Sequence, residues 1–160
     1  MIRVQTEDFD VGAELKALQR TGNVGAIVTF TGIVREFSGS QQLSAMTLEH
    51  YPGMTERQLA EIEAEARRRW PLDNALIVHR YGRLEPGENI VLVITTSSHR
   101  EAAFEAAEFL MDWLKTKAPF WKLEDSIKGG AAWVAAKATD DAAAGRWADA
   151  PKPMRKVAGN

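Results

Sequence analysis

The 160-residue chain contains no cysteine. Disulfides, thiolate-bound metals, a cysteine nucleophile and a persulfide carrier are therefore all excluded. Only three histidines occur, His50, His79 and His99, and none sits in an HExxH or similar spacing, so neither a metal centre nor a resident cofactor is expected. Neither sign of charge dominates: 20 Lys and Arg oppose 22 Asp and Glu, for a net charge of -2. A nucleic-acid partner needs a broad basic surface and is not expected, which leaves room for a local basic pocket. The longest apolar run, near Ile90 to Ile94, is far short of the roughly 20 residues of a membrane span. The opening MIRVQTEDFD is acidic where a signal peptide is basic and then apolar. A soluble, cytoplasmic protein with no membrane partner is expected, of a length that suits one domain.

What is present is an alternation of β-branched runs with amphipathic stretches. Val11, Leu15 and Leu18 predict a first helix over Asp10 to Arg20. Strands are predicted over Asn23 to Val34 and Leu43 to Tyr51, with a mobile loop at Arg35 to Gln42 between them. Leu59, Ile62, Ala66 and Trp70 lie on one stripe of a second helix, with Thr55 and Gln58 as its capping box. Two further strands, Asn74 to Tyr81 and Asn89 to Thr96, are joined by the turn GRLEPGE. A third helix begins at a Ser98/Glu101 capping box and ends at Pro119. Phe120 to Glu124 and Ala131 to Ala138 are weaker strand candidates around SIKGG. The pattern gives an α+β domain with helices packed on a mixed, mainly antiparallel sheet, over residues 1–140, followed by a flexible tail over 141–160.

The third helix carries basic groups at both ends. His99 and Arg100 fall in its predicted first turn, where cations oppose the helix dipole by roughly 0.3–1 kcal/mol each unless an anion binds there. Lys115, Lys117 and Lys122 cluster at the other end beside Phe120 and Trp121. Two readings are open for these lysines: complements to the helix C-terminus, or a pair whose crowding depresses a lysine pKa for acid, base or nucleophilic work. Arg35, at a strand end, is either a solvated loop residue or a substrate clamp. In the His79-Arg80 pair, strand alternation buries one of the two, a structural role; His50 and Tyr51 read as packing beside a turn. His99 and Lys115 stand about 24 Å apart along a helix rising roughly 1.5 Å per residue, too far for one small substrate. If both ends serve one site, a second copy of the chain supplies one of them, and a homodimer with composite sites is expected.

TFTGIVR at Thr29 to Arg35, LEHYPGMTE at Leu48 to Glu56, HRYGRLEPGE at His79 to Glu88, SSHREAAFEA at Ser97 to Ala106 and MDWLKTKAPFWK at Met111 to Lys122 resemble the large, catalytic subunit family of molybdopterin synthase. The resemblance runs in order from about Asn23 to Ala138. It implies an α/β-hammerhead-like single domain and a sulfurtransferase that converts cyclic pyranopterin monophosphate to the dithiolene of molybdopterin. Sulfur then arrives as a thiocarboxylate on the C-terminal Gly-Gly of a small ubiquitin-like subunit. A chain without a thiol fits such a scheme, and its internal Gly129-Gly130 pair is a turn. The implied assembly is a heterotetramer around a homodimer of this chain.

By position in the matching motifs, the resemblance implies a catalytic pair, Lys115 and Lys122, which also bind substrate. Ile33, Val34 and Arg35 line the pterin site, and His99 and Arg100 hold its phosphate. Phe30 and Met111 form an apolar wall, and Glu124 orients Lys122. Leu123 stands at a substrate-site position where the family usually has a basic residue. Lys137 replaces an anion-binding arginine, which keeps the charge but not the bidentate fork. The competing reading from the residues alone is a non-enzymatic ferredoxin-like module that holds a nucleotide or small phosphate ligand. An RNA-binding module ranks behind it, because the strands lack interleaved exposed aromatics.

Overall fold

The computed structural model describes residues 1–20, 23–134 and 138–148. In chain order the elements are β1 (Ile2–Gln5), α1 (Val11–Leu18), β2 (Ala26–Ile33), β3 (Phe37–Ser38), β4 (Gln41–His50), α2 (Met54–Arg69) and β5 (Asn74–Arg80). They continue with β6 (Gly82–Leu84), β7 (Asn89–Ser97), α3 (Arg100–Thr116), β8 (Phe120–Ser126), β9 (Ala131–Val134) and α4 (Ala138–Gly145). The strands form two sheets. One runs β1-β5-β7-β2, with β1 parallel to β5 and the remaining pairs antiparallel; the other runs β3-β4-β8-β9, with β6 also on β4.

The first sheet is covered on both faces. Period-two alternation sends Ala75 and Ile77 of β5 and Val91 and Val93 of β7 toward α2 and α3, where they meet Leu59, Ile62, Ala66, Phe109 and Leu110. The intervening Leu76, Val78, Leu92 and Ile94 face α1, against Phe9 and Leu18. Fully buried leucines such as Leu59 and Leu110 contribute about 1.5–3 kcal/mol each through removal from water. Double coverage also explains why both His79 and Arg80 are buried, at 7% exposure each, where alternation on a one-sided strand hides only one. Arg80 is a structural bolt. Its Nε donates to the Thr6 carbonyl at 3.0 Å, its Nη1 to the Asn89 carbonyl at 3.0 Å, and Glu88 lies 3.4 Å away.

Several elements differ from their sequence expectations. The supposed mobile loop at Arg35 to Gln42 contains a short hairpin, in which Phe37 pairs with Gln42 and Ser38 with Gln41 around Gly39 at φ 61°. The second helix starts before its expected capping box. Gly53, at φ 80°, precedes Met54 and donates its N–H to Glu56 Oε2 at 2.6 Å. Thr55 is buried instead, accepting from the Tyr51 N–H. In α3 the N-cap is His99 rather than Ser98, and Ser97 Oγ accepts from the His99 N–H at 3.2 Å. Strands β1 and β6 were not expected; both are too short for a period-two signal to stand out.

Residues 141–148, expected to belong to a flexible tail, are packed against the domain. Helix α4 lies on α3, and Trp147 packs edge-on against Trp70 and Phe109, with ring centroids 5.7 and 5.6 Å away. Its indole N–H donates to Asp112 Oδ2 at 2.7 Å, and Arg146 bonds the same carboxylate. An alanine-rich helix of low amphipathicity gives little sequence signal, and partners on α2 and α3 supply its stability. Residues 149–160 of the expected tail lie outside the described residues.

Candidate active site

A cleft of about 540 Å³ opens where the two sheets meet beneath the C-terminal end of α3. One row across the first sheet forms its floor: Gly32 of β2 pairs with Val91 of β7, which pairs with His79 of β5. Glycine is required in that row, because a Cβ at Gly32 would come within 2.7 Å of Val91 Cγ1. Phe30, Ile33 and Arg35 border the cleft from β2 and the segment after it. Met111, Leu114 and Lys115 descend from α3, spaced three, one and four apart as one helix face demands. Alternation along β8 brings Phe120, Lys122 and Glu124 to the same side, and Asp140 enters from α4.

Three cations, Arg35, Lys115 and Lys122, therefore converge on one concavity, accompanied by the carboxylates of Glu124 and Asp140. Among the described residues, none of the three cations has a carboxylate within ion-pairing distance. Burial pushes the Lys122 ammonium below the ordinary lysine pKa of 10.5, and the charge of Lys115 pushes the same way; Glu124 and Asp140 oppose them, and Arg35 adds to the depression. A partly desolvated lysine beside two further cations is suited to hold an anion, stabilise developing negative charge, and give up its proton more readily than a solvated lysine.

The sequence-nominated residues divide into three groups. Phe30, Ile33, Arg35, Met111, Lys115, Lys122 and Glu124 all line the cleft. Val34 does not: at 2% exposure it packs with Met46, Leu48 and Leu84, because alternation turns it away from its neighbours Ile33 and Arg35. Leu123 likewise faces away from Lys122 and Glu124, opposite Thr47 and Trp133 on the outer side of the sheet. His99 and Arg100 are absent from the lining, since they occupy the other end of the 17-residue α3. Lys137 lies outside the described residues.

Among the lining residues that sequence reasoning did not nominate, two are titratable, His79 and Asp140. The His-Arg pair on a buried strand was a signal for the first, read then as structural. Nothing local marks Asp140, whose place depends on how α4 docks. His79 is held by contacts on two sides: its ring stacks on Phe120 with centroids 3.7 Å apart and planes 13° apart, and Nδ1 lies 2.8 Å from the Arg80 carbonyl oxygen.

An α+β domain with a basic cleft of this size and no thiol defines a small-molecule enzyme whose substrate is anionic. A family described as MoaE protein matches residues 4–117, and the chain belongs to that family. A molybdopterin synthase catalytic subunit from Cereibacter sphaeroides is 57% identical over 147 residues, covering 91% of this chain and 99% of that one. The structure of a molybdopterin biosynthesis MoaE protein from Burkholderia ambifaria superposes with a TM-score of 0.77 at 53% identity, covering 92% of this chain and 97% of that one. Molybdopterin synthase from Staphylococcus aureus gives a TM-score of 0.74 at 31% identity, over 83% of this chain and 96% of that one. No helix among the described residues is long and apolar enough to cross a membrane.

Proposed function

We propose that the chain is the catalytic subunit of a molybdopterin synthase, which moves sulfur from the thiocarboxylated C-terminus of a small ubiquitin-like protein onto cyclic pyranopterin monophosphate. The observation that carries this reading is the convergence of Arg35, Lys115 and Lys122, without ion-pair partners among the described residues, on one cleft of a protein that has no thiol. The thiocarboxylate sulfur forms a bond to a side-chain carbon of the substrate as a C–O bond at that carbon breaks, its oxygen leaving with the phosphate or as water; water then cleaves the acyl–sulfur bond, releasing the carrier as a carboxylate and leaving sulfur on the pterin side chain. Each step passes through an anion, and Lys115 and Lys122 are the groups available to stabilise it and to shuttle protons. Glu124 is on the same face of β8 as Lys122 and tempers its loss of charge. The opening must also admit an extended Gly-Gly tail, and Phe30 and Ile33, 39% and 50% exposed, supply an apolar rim for it.

His99 and Arg100 enter the reading as the phosphate-holding pair of a second copy. The length of α3 keeps them about 24 Å from Lys115 of their own chain, and a two-fold homodimer within a heterotetramer brings a partner's helix start to each cleft. The test is reconstitution with a thiocarboxylated small subunit and cyclic pyranopterin monophosphate, measuring dithiolene product. Lys115→Ala and Lys122→Ala should each lower kcat by about 10²- to 10³-fold. Variants that turn over like the wild type would overturn the catalytic assignment of Lys115 and Lys122.

A further inference from the structure

His79 is buried in the cleft floor, and its hydrogen-bond partner defines its chemical form. A backbone carbonyl can only accept, so the 2.8 Å contact with the Arg80 oxygen places the imidazole proton on Nδ1. The stack on Phe120 fixes the plane of the ring. Burial lowers the His79 pKa from 6.5 to about 4; the Arg80 carbonyl opposes that shift, and Lys122 of β8, Lys115 of α3 and His50 of β4 reinforce it. The ring is therefore neutral at physiological pH, and its Nε2 is a lone-pair acceptor.

That acceptor has no hydrogen-bond partner among the described residues, although His79 belongs to the cleft lining. The cations around it are donors only, and the other acceptor side chains with charge, Glu124 and Asp140, sit among those cations. A neutral acceptor on the floor suits a different part of a ligand from its anionic group: the N–H edge of a polar heterocycle. Building on the molybdopterin synthase reading, we propose that Nε2 of His79 accepts a hydrogen bond from a ring N–H of the pterin, so that His79 selects and orients the heterocycle while the cations handle the charged ends. A ring that presents a bare nitrogen at that point would leave two lone pairs facing each other, and the floor would discriminate against it.

The experiment is titration of the full-length protein with cyclic pyranopterin monophosphate, followed by calorimetry and by ¹⁵N NMR of histidine-labelled wild type. The free protein should show Nδ1 protonated and Nε2 bare, and saturation should move the Nε2 resonance toward a hydrogen-bonded position. Two variants separate binding from packing. His79→Asn can keep the donor to the Arg80 carbonyl but loses the acceptor at the Nε2 position, and its Kd should rise about tenfold. His79→Gln places an amide oxygen near the Nε2 position, and its Kd should stay within about threefold of wild type. Saturable binding with no Nε2 response, or equal Kd values for Asn, Gln and wild type, would overturn the assignment alone. Failure of the wild type to bind the pterin would overturn the sulfur-transfer reading and this assignment with it.

Discussion

At the scale of single residues, the cleft works by withholding solvent and counter-charge. His79 shows the energetic consequence. Its folded pKa of about 4 lies below the ordinary 6.5, so the unfolded chain binds the proton more tightly in that interval. The stability contributed by neutral His79 is complete above pH 6.5 and is lost as the pH falls through 4, amounting to about 3 kcal/mol. Urea unfolding at pH 7 and pH 4 should show this component in the wild type and not in His79→Phe, which keeps a ring against Phe120. An equal loss in both proteins would place the acid sensitivity elsewhere. The residue types of this site were legible mainly through the matching motifs, since lysines at a helix end and an arginine at a strand end also fit dipole-complementing and solvated roles. Their directions were less so. Val34 and Leu123 are implied as site residues by their positions in the matching motifs, and strand alternation sends each to the opposite face.

At the scale of elements, α3 and α4 decide what enters the cleft. The long helices and the central strands were legible because a 3.6 or 2.0 period persists over many residues in each. The short pieces β1, β6 and α4 are stabilised by neighbours distant in the chain, β3 is a two-residue arm of a local hairpin, and all four leave little periodic trace. Helix α4 matters most among them, because Asp140 in its first turn lines the cleft. Its anchor is the Trp147 clasp, in which the indole N–H bonds Asp112, the backbone carbonyl accepts from Arg69 at 2.9 Å, and the ring sits against Trp70 and Phe109. Trp147→Ala should destabilise the protein by about 2–4 kcal/mol in chemical unfolding, by loss of the aromatic packing and the partly buried hydrogen bond. It should also raise KM for the pterin more than it lowers kcat, as Asp140 loses its fixed position. A variant with wild-type stability would show that the clasp is not holding the C-terminal segment.

At the scale of the whole molecule, the roles proposed for the two basic clusters on α3 make a geometric demand that one chain cannot meet. Lys115 borders the cleft, and His99 and Arg100 begin the same straight helix far from it. This separation was visible in the sequence as soon as the helix was, because rise per residue is fixed. The copy that brings the missing cluster is a matter of surfaces, which a single sequence does not label. The most direct measurement uses mixed dimers. A His99→Ala/Arg100→Ala chain and a Lys115→Ala/Lys122→Ala chain, each close to inactive alone, are co-expressed under different tags, and the doubly tagged dimer is purified and assayed with thiocarboxylated carrier and pterin phosphate. Composite sites leave one cleft intact and one with all four substitutions, and the mixed dimer should recover about half of wild-type activity. A mixed dimer as inactive as its parents would contradict the account, because each site would then draw both clusters from a single chain.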